Sequence, residues 1–208
     1  SPMSIPAVPD TSGSEQCVRL PLGARPNLWK HRTVTQMRYR TVESPVGPLT
    51  LAGVGSTLIH LRMADQTHEP DRSGWQPAET GAFADVVEQL EAYFAGTLTE
   101  FDVDIRLEGT DFQRQVWAAL GTIPYGQTRS YGQMAAHIGS PGASRAVGLA
   151  NGRNPISIIV PCHRVVGSTG GLTGYGGGVD RKRTLLALEN DRDTAEPALF
   201  GLRGLSHA

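Results

Sequence analysis

A chain of 208 residues is long enough for one large or two small domains with a buried core. Its net charge of −1 excludes a protein that attracts polyanions through overall charge. Its two cysteines, Cys17 and Cys162, are too few for a disulfide framework or a cysteine-rich zinc site. The sequence has neither the run of about 20 apolar residues that spans a membrane nor the apolar region of a secretory signal, so we expect a soluble, cytoplasmic protein.

The charges are unevenly divided along the chain. Residues 37–109 contain five Lys or Arg against twelve Asp or Glu, whereas residues 110–189 contain eight against three. Because a phosphate backbone attracts basic surfaces, this asymmetry suggests that only the second half of the chain meets nucleic acid.

The first half of the chain predicts an arm, a small sheet and one helix. Prolines interrupt residues 1–36, which we expect to be extended or poorly ordered, and residues 64–79 are expected to form a loop. Alternating apolar residues and Gly-containing turns over 37–63 predict a meander of strands. Helical spacing of apolar residues predicts a helix over 80–96, and alternation predicts one more strand over 101–107.

The second half predicts three helices before the cysteine. The patterns that begin at Thr110 and Ser130 are capping boxes, and each predicts a helix start. Ser140 and Pro141 predict the N-cap and first residue of a further helix through residue 150. Two short helices around a Gly-containing turn favour a helix-turn-helix, although the pattern fits a generic helix pair equally well.

The outer side of the last of these helices carries small or polar residues and a single long cation, Arg145. The small or polar residues are Ala143, Ser144, Gly148 and Asn151. Glycine inside a helix costs about 1 kcal/mol relative to alanine, so its presence indicates close approach of either a bulky partner or a neighbouring helix.

A cysteine beside a histidine and an arginine is the most informative local feature. Residues 151–155 predict a turn, and the apolar run 156–160 predicts a strand or core segment that Pro161 ends just before Cys162. Positive charge from His163 and Arg164 would lower the pKa of the thiol from about 8.5 and yield the nucleophilic thiolate. A buried cysteine without a chemical role is the alternative.

The end of the chain predicts a loop and one helix. The Gly-rich loop 170–178 allows backbone groups to approach a ligand closely. Asp180 is expected to cap a final helix that reaches Glu189, and residues 191–208 are expected to form a loose tail.

The chain resembles the O6-alkylguanine-DNA alkyltransferases of the bacterial type. Their active-site signature is similar to the run Pro161-Cys162-His163-Arg164-Val165 and its apolar flanks. The resemblance extends from about residue 37 to residue 189 and is strongest from residue 110 onward. It implies an α+β fold. An N-terminal α/β, ribonuclease-H-like domain with an antiparallel sheet would occupy 37–109, and a helical C-terminal domain with a helix-turn-helix would occupy 110–190.

The resemblance also implies the catalytic residues. Cys162 would be the alkyl acceptor, His163 its base through a bound water, and Glu189 the group that holds the imidazole in the right tautomer. Asn154 corresponds to the family's hinge asparagine, and Tyr131 to the tyrosine that contacts the purine and donates a proton as O6 loses its alkyl group. The alkylguanine pocket is assigned to three further groups, namely the Val165 carbonyl, Tyr175 and the Gly176 backbone.

The resemblance further predicts how the protein meets DNA. Arg145 corresponds to the arginine that enters the base stack where the target base was. The other expected contacts, along the minor groove and the backbone, come from Ala143, Ser144, Gly148, Asn151, Arg129, Arg153 and Arg181. Some eukaryotic relatives hold a structural zinc through two cysteines, whereas only Cys17 precedes Cys162 here, so we expect no metal and no cofactor.

The implied function is DNA repair by irreversible, single-turnover transfer of an alkyl group from O6-alkylguanine, and also from O4-alkylthymine, to Cys162. The partner would be double-stranded DNA, whose damaged base is flipped out through the minor groove, and the protein is expected to be monomeric without DNA. Three alternatives stay open. They are a lesion-binding protein without repair activity, whose known examples replace the cysteine; a helix-turn-helix regulator with an idle cysteine; and a cysteine hydrolase.

Overall fold

The computed structural model describes residues 36–190, which lie within one compact unit. The predictions for an arm over 1–36 and a tail over 191–208 therefore lie outside the described residues, except for residue 36. The expectation for Cys17 lies outside them as well. None of the described helices is long and apolar enough to cross a membrane.

A four-stranded sheet opens the described chain. Strands β1 (Arg38–Val42), β2 (Leu49–Val54) and β3 (Thr57–Met63) form an antiparallel meander, which confirms that prediction. A two-residue strand, β4 (Gln76–Pro77), pairs parallel to β1, so the sheet is mixed and its order is β3-β2-β1-β4. β4 lies within the predicted loop 64–79, where so short a segment has no period that could reveal it.

The first helix and the segment after it differ from the predictions. Helix α1 (Ala84–Phe94) begins later than residue 80, because Phe83 has a left-handed backbone with φ 56°. The predicted strand over 101–107 is wrong. Only a single parallel bridge joins Ile105 to Leu58 of β3. The alternating apolar residues of this segment pack against the core, so the pattern reports burial and not a hydrogen-bonded ladder.

Both capping boxes are present. Helix α2 (Asp111–Leu120) and helix α3 (Tyr131–His137) begin directly after Thr110 and Ser130, each with the reciprocal hydrogen bonds of a capping box. Trp117 of α2 donates its indole N–H to the Ala150 carbonyl at 2.8 Å, which ties α2 to the second helix after it. These local signals succeed because the hydrogen bonds that define them lie within four residues of sequence.

Helix α4 (Ser144–Gly152) lies further along the chain than predicted. Ser140 is not its N-cap, because the Ala143 N–H bonds to the Ser140 carbonyl at 2.8 Å and closes a turn before the helix begins. Because α4 extends beyond residue 150, the predicted turn over 151–155 is partly wrong. Asn151 and Gly152 belong to the last turn of this helix. The α3–turn–α4 arrangement itself is the helix pair that the sequence favours.

Two further elements complete the described chain. Helix α5 (Val179–Asn190) begins one residue before Asp180, so Asp180 is an acidic residue of the first turn and not the cap. Strands β5 (Arg129–Ser130) and β6 (Val165–Val166) form an unpredicted two-stranded parallel pair. This pair joins the residues just before α3 to those just after the cysteine segment.

One core runs through both halves of the described chain. Leu61 of β3 forms a parallel bridge with Ile156, with hydrogen bonds from the Leu61 N–H to the Pro155 carbonyl at 3.0 Å and from the Ser157 N–H to the Leu61 carbonyl at 2.9 Å. The segment 156–160 is thus a buried core segment and not a strand. The consequence is that β3 fixes the backbone that leads to Cys162.

Candidate active site

Cys162 is held at the start of a short, tightly wound segment. The Val160 N–H bonds to the Ile156 carbonyl at 3.0 Å and the Cys162 N–H to the Val160 carbonyl at 2.8 Å. Ile158, inside the turn closed by the first of these bonds, has φ 72°. β-Branched residues rarely adopt this conformation, which costs of order 1–3 kcal/mol. Its side chain is buried in the core, which offsets this strain. Cys162 then opens a single 3-10 turn, Cys162–Arg164.

Asn154 holds the Cys162 thiol through its side-chain amide. Its amide Nδ2 lies 3.0 Å from Cys162 Sγ and 2.7 Å from the Val160 carbonyl, while its Oδ1 accepts from the Ile156 N–H at 3.0 Å. Asn154 is fully buried, so these bonds are not shared with solvent. A single amide therefore orients both the sulfur and the backbone that carries it.

Glu189, near the end of α5, accepts hydrogen bonds from four residues. Its Oε1 lies 2.9 Å from His163 Nε2, and Arg164 binds both carboxylate oxygens through Nε at 2.9 Å and Nη2 at 3.0 Å. The Tyr93 hydroxyl donates to Oε1 at 2.7 Å and the Gly126 N–H to Oε2 at 3.2 Å. Burial opposes ionisation of this carboxyl, yet the bonds from His163 and Arg164 outweigh it and lower the Glu189 pKa to about 2.

His163 is fully buried and neutral in this setting. Burial lowers its pKa below the usual 6.5, although Glu189 acts in the opposite direction. An ionised carboxylate accepts hydrogen bonds only, so Nε2 carries the proton and Nδ1 keeps its lone pair. Nδ1 is buried and has no hydrogen-bond partner among residues 36–190. This nitrogen is consequently available as a base.

The prediction that its neighbours lower the Cys162 pKa is wrong. Burial is the largest influence and raises the pKa of the thiol above its ordinary value. The Arg164 guanidinium binds the Glu189 carboxylate and, at 2.6 Å, the Ile123 carbonyl. It is therefore not the cation that lowers the pKa of the thiol, as the sequence suggested. The groups that favour the thiolate are the Asn154 amide, Lys182 and Arg62.

Lys182 of α5 is a site residue that the sequence reasoning missed. It is 0% exposed, and its Nζ donates to the Val165 carbonyl at 2.5 Å and the Thr173 carbonyl at 3.0 Å. Burial lowers its pKa to about 8 while the charge of Cys162 acts to raise it. Helical spacing could have found it, because Lys182 lies three and seven residues before the buried Leu185 and Glu189 on one face of α5.

Two of the predicted pocket residues, Tyr131 and Tyr175, lie near enough to Cys162 for its charge to affect their pKa. The Tyr131 hydroxyl donates to the Thr173 carbonyl at 2.9 Å, and burial followed by the charge of Cys162 raises the Tyr131 pKa. Tyr175 is buried with its hydroxyl 3.7 Å from the sulfur of Met63 in β3. The structure thus brings Tyr131, Tyr175 and the cysteine segment together.

The Gly176 backbone is closely confined beside this pocket. Its carbonyl accepts from the Thr67 N–H at 3.0 Å. A Cβ built on Gly176 would lie 2.9 Å from the Gly152 carbonyl oxygen, closer than such contacts occur, so no side chain fits here without a shift. Glycine therefore lets the Gly-rich loop 170–178, here called the pocket loop, lie against both the end of α4 and the loop after β3.

Two of the residues predicted to bind DNA donate hydrogen bonds to carbonyl groups of the protein instead. Asn151 is buried and donates to the Cys162 carbonyl at 3.2 Å, so it belongs to the interior of the site. Arg181 donates to the Val46, Ala64 and Gly177 carbonyls at 2.9, 2.6 and 3.0 Å. Its guanidinium thus anchors the loop before α5, and this position gives no support to a role in DNA binding.

The other predicted DNA contacts lie on accessible surface. Arg129, Arg145 and Arg153 are exposed, and Ala143, Ser144 and Gly148 are half-buried on or next to α4. A Cβ built on Gly148 would lie 3.7 Å from the Tyr131 ring, which is ordinary van der Waals contact. Packing within the protein therefore does not demand glycine here, and an approaching partner is the explanation that stays open.

Two family models match the chain and together cover almost all of its described part. The model of the 6-O-methylguanine DNA methyltransferase ribonuclease-like domain matches residues 37–107. The model of the 6-O-methylguanine DNA methyltransferase DNA binding domain matches residues 111–191. The fold and the cysteine site thus define a two-part α+β protein with a DNA-binding second half.

Similar proteins agree with these models. A methylated-DNA–protein-cysteine methyltransferase of Mycobacterium bovis is 65% identical over 164 residues, which are 79% of this chain and 99% of that protein. One of Methanosarcina acetivorans is 53% identical over 156 residues, 74% of this chain and 98% of that protein. A crystal structure of Mycobacterium tuberculosis OGT in complex with DNA superimposes with a TM-score of 0.73 at 67% identity, covering 74% of this chain and 94% of that one.

The chain belongs to the methylated-DNA–protein-cysteine methyltransferase family. The resemblance, the fold class and the enzyme class predicted from the sequence are confirmed by these matches. Among residues 36–190, no cluster of three or more His, Cys, Asp or Glu side chains is arranged to hold a metal ion.

Proposed function

We propose that the protein repairs double-stranded DNA by moving the alkyl group of O6-alkylguanine to Cys162 Sγ in a single turnover. The observation that carries this proposal is the arrangement of Asn154, Cys162, His163 and Glu189: the Asn154 amide holds a buried thiol, and the following residue is a neutral imidazole that Glu189 holds with Nδ1 unpartnered. In the reaction the S–C bond forms and the C–O6 bond breaks. The thiol proton passes through a bound water to His163 Nδ1, and O6 receives a proton from Tyr131.

The raised pKa of Cys162 favours proton removal during attack over a standing thiolate. Because burial keeps the resting group a thiol, a base must take its proton as the substrate arrives. His163 is neutral and therefore able to accept it, and the Glu189 carboxylate then stabilises the imidazolium that forms. Lys182 and Arg62 supply positive charge that stabilises the developing thiolate.

The pocket groups have the polarity that an alkylated guanine requires. The Val165 carbonyl would accept from the exocyclic amine with its second lone pair, since Lys182 already uses the first. The Gly176 N–H would donate to O6. The raised pKa of Tyr131 keeps this phenol protonated, as a proton donor must be. O4-alkylthymine presents a similarly alkylated oxygen on a smaller ring, and we include it among the substrates.

Burial of the thiol supports base flipping. Cys162 is only 3% exposed, so a guanine stacked in a duplex cannot reach it. Flipping costs a few kcal/mol, and less for a weakly paired damaged base. In our proposal α4 lies in the minor groove, where Arg145 fills the vacancy in the stack. Leu149, four residues after Arg145, is 67% exposed on the same face and would lie against the sugars.

Single turnover follows from the product. A thioether is not reversed by thiol exchange, and water activated by His163 does not cleave an S–alkyl bond, because the thiolate is a poor leaving group. We further propose that the protein acts as a monomer and works in the reducing cytoplasm, where the thiol stays available.

Intact-mass spectrometry after incubation with O6-methylguanine duplex tests the proposal. We expect one added methyl group per protein, located on Cys162, and no more than one equivalent transferred at excess substrate. Cys162→Ala should take up none while it still binds the duplex. Binding without any mass change in the unsubstituted protein would favour a lesion-binding protein or a regulator, and continued turnover would favour a hydrolase.

A further inference from the structure

The first half of the described chain donates a hydrogen bond directly to Glu189. Tyr93 of α1 is 0% exposed, and its hydroxyl lies 2.7 Å from Glu189 Oε1. His163 Nε2 lies 2.9 Å from the same oxygen. We propose that Tyr93 is a positioning residue for the Cys162–His163–Glu189 relay, an inference that rests on the function proposed above.

The geometry explains what the hydroxyl would do. A carboxylate can rotate about its terminal bond, and such rotation would move Oε1 away from the imidazole. The Arg164 guanidinium spans both oxygens, and the Tyr93 hydroxyl fixes Oε1 from another direction. Oε1 is thereby kept opposite His163 Nε2, which selects the tautomer with a free Nδ1.

The Tyr93 ring is itself firmly placed. It lies 5.4 Å from the ring of Phe94, 5.4 Å from that of Phe101 and 6.0 Å from that of Tyr125, centroid to centroid. These contacts leave the hydroxyl little freedom to withdraw from the carboxylate. A phenylalanine could keep the ring contacts, so the hydroxyl is accounted for by its bond to Glu189.

A neutral donor suits this position better than a second cation. Burial and the charge of Glu189 raise the Tyr93 pKa far above its usual value, so the phenol stays protonated at all working pH values. When His163 accepts the thiol proton it becomes positively charged, and a further cation on Oε1 would repel it. The phenol stabilises the carboxylate without this repulsion.

The decisive variant is Tyr93→Phe, which removes only the hydroxyl. We expect the rate constant for alkylation to fall about tenfold with free O6-benzylguanine and with O6-methylguanine duplex alike, as for loss of a bond to a charged group. The substrate concentration at half-maximal rate should not change, because the Tyr93 hydroxyl bonds to Glu189 and to none of the predicted pocket residues. Tyr39→Phe is the matched control; Tyr39 lies in β1 near Trp75, and its variant should react like the wild type.

Coupling to Glu189 separates positioning from a general effect on packing. In a double-mutant cycle, Tyr93→Phe should slow the wild type but have no further effect on Glu189→Gln. The single variant should also shift the pH midpoint of the alkylation rate, which loss of packing alone would not move. A wild-type rate and pH profile for Tyr93→Phe would overturn the inference, as would equal slowing in both backgrounds.

The two proposals fail in different ways. If Glu189→Gln reacts like the wild type, the relay of the proposed function is wrong. If Glu189→Gln is slow and Tyr93→Phe is not, only the role of Tyr93 is wrong. Should Glu189→Gln fail to fold, the rate constant, half-saturation concentration and pH midpoint of Tyr93→Phe still decide the matter.

Discussion

At the scale of single residues, the charge that acts on Cys162 comes from side chains distant in sequence. Lys182 and Arg62 favour the thiolate, whereas the adjacent Arg164 is committed to Glu189. Lys182 also binds the Val165 and Thr173 carbonyls, so the same ammonium shapes the pocket and acts on the thiol. Its pKa of about 8 places the loss of this charge just above neutral pH.

Replacing Lys182 with methionine should therefore slow alkylation and change its pH dependence. We expect a roughly tenfold lower rate constant with O6-benzylguanine at neutral pH, because the thiolate loses a cation beside it. The wild-type rate should level off or fall as pH rises through about 8, where Lys182 loses its proton, and this feature should vanish in the variant. Arg183→Met removes an exposed cation one residue away and serves as control. An unchanged alkaline profile for Lys182→Met would contradict the assignment.

Glu189 should give the protein a characteristic sensitivity to acid. Its pKa is lowered from 4.5 to about 2 in the folded state, so its contribution to stability is complete above pH 4.5 and is lost as pH falls toward 2. For this buried group the shift corresponds to about 3 kcal/mol. Urea unfolding at stepped pH should show a free energy of unfolding that falls across this window in the wild type. The fall should be smaller in Glu189→Gln, and identical slopes would assign the acid sensitivity to other carboxyls.

At the residue scale, the sequence selected side chains that the structure brings together, while their roles stay predictions, and it misjudged properties that depend on burial. The run around Cys162 was enough to select His163 and, through the resemblance, Glu189 and Asn154. Asn151 and Arg181 were expected to contact DNA because they are polar, but in the structure both donate hydrogen bonds to backbone carbonyls. The raised pKa of Cys162 could not be predicted either, because desolvation depends on residues that only the folded chain brings together.

At the scale of elements, α4 combines an interior face and a surface that no part of the described chain covers. Val147, Ala150 and Asn151 are buried, whereas Arg145, Leu149 and Arg153 recur every four residues on the exposed side. Helix α2 holds α4 through the bond from Trp117 to the Ala150 carbonyl. The end of α4 leads within two residues to Asn154, so a displacement of this helix would reach the thiol.

Arg145 of α4 and Arg153, the residue directly after that helix, are both exposed and should respond differently to substitution. If Arg145 fills the place of the flipped base, Arg145→Ala should lose far more rate on duplex O6-methylguanine than on free O6-benzylguanine, which needs no flipping. Arg153→Ala should instead weaken binding to any duplex and reduce the salt slope by about one unit, as for a phosphate contact. Equal losses of Arg145→Ala on both substrates would indicate a damaged fold, and no loss on either would make Arg145 an ordinary surface cation.

Element boundaries followed local hydrogen bonding more than periodicity. The capping boxes at Thr110 and Ser130 gave correct helix starts because their partners lie three residues away. Ser140 and Pro141 also resemble a helix start, but the Ser140 carbonyl closes a turn and delays α4 to Ser144. Alternation over 101–107 predicted a strand because one-sided burial gives the same pattern, although only Ile105 forms a bridge.

At the scale of the whole molecule, the first half acts as a support for the site of the second. β3 fixes Ile156 ahead of Cys162, and α1 supplies Tyr93 to Glu189. The loop after β3 holds the pocket loop through the bond from the Thr67 N–H to the Gly176 carbonyl. Arg62 in turn binds the Thr67 and His68 carbonyls at 2.8 Å each, which fixes the backbone of the loop after β3.

Arg181 joins these parts and gives the last prediction. Its guanidinium binds carbonyls of two N-terminal loops, at Val46 and Ala64, and of the pocket loop, at Gly177. Arg181→Ala should therefore lower the free energy of unfolding by about 1–3 kcal/mol, since three buried or half-buried carbonyls lose a charged donor. It should also slow the reaction with free O6-benzylguanine, because the Gly177 carbonyl, next to Gly176, is no longer held.

Arg183→Ala provides the matched comparison for Arg181→Ala. Arg183 lies one half-turn away on α5, and its exposed pair with Asp180 should contribute little to stability. Unfolding in urea and the rate with free O6-benzylguanine should be close to wild type in this variant. Arg181 was first expected to contact DNA, and that role predicts a different result. In that case Arg181→Ala would keep its stability and its rate with the free base, and would lose duplex affinity with a reduced salt slope.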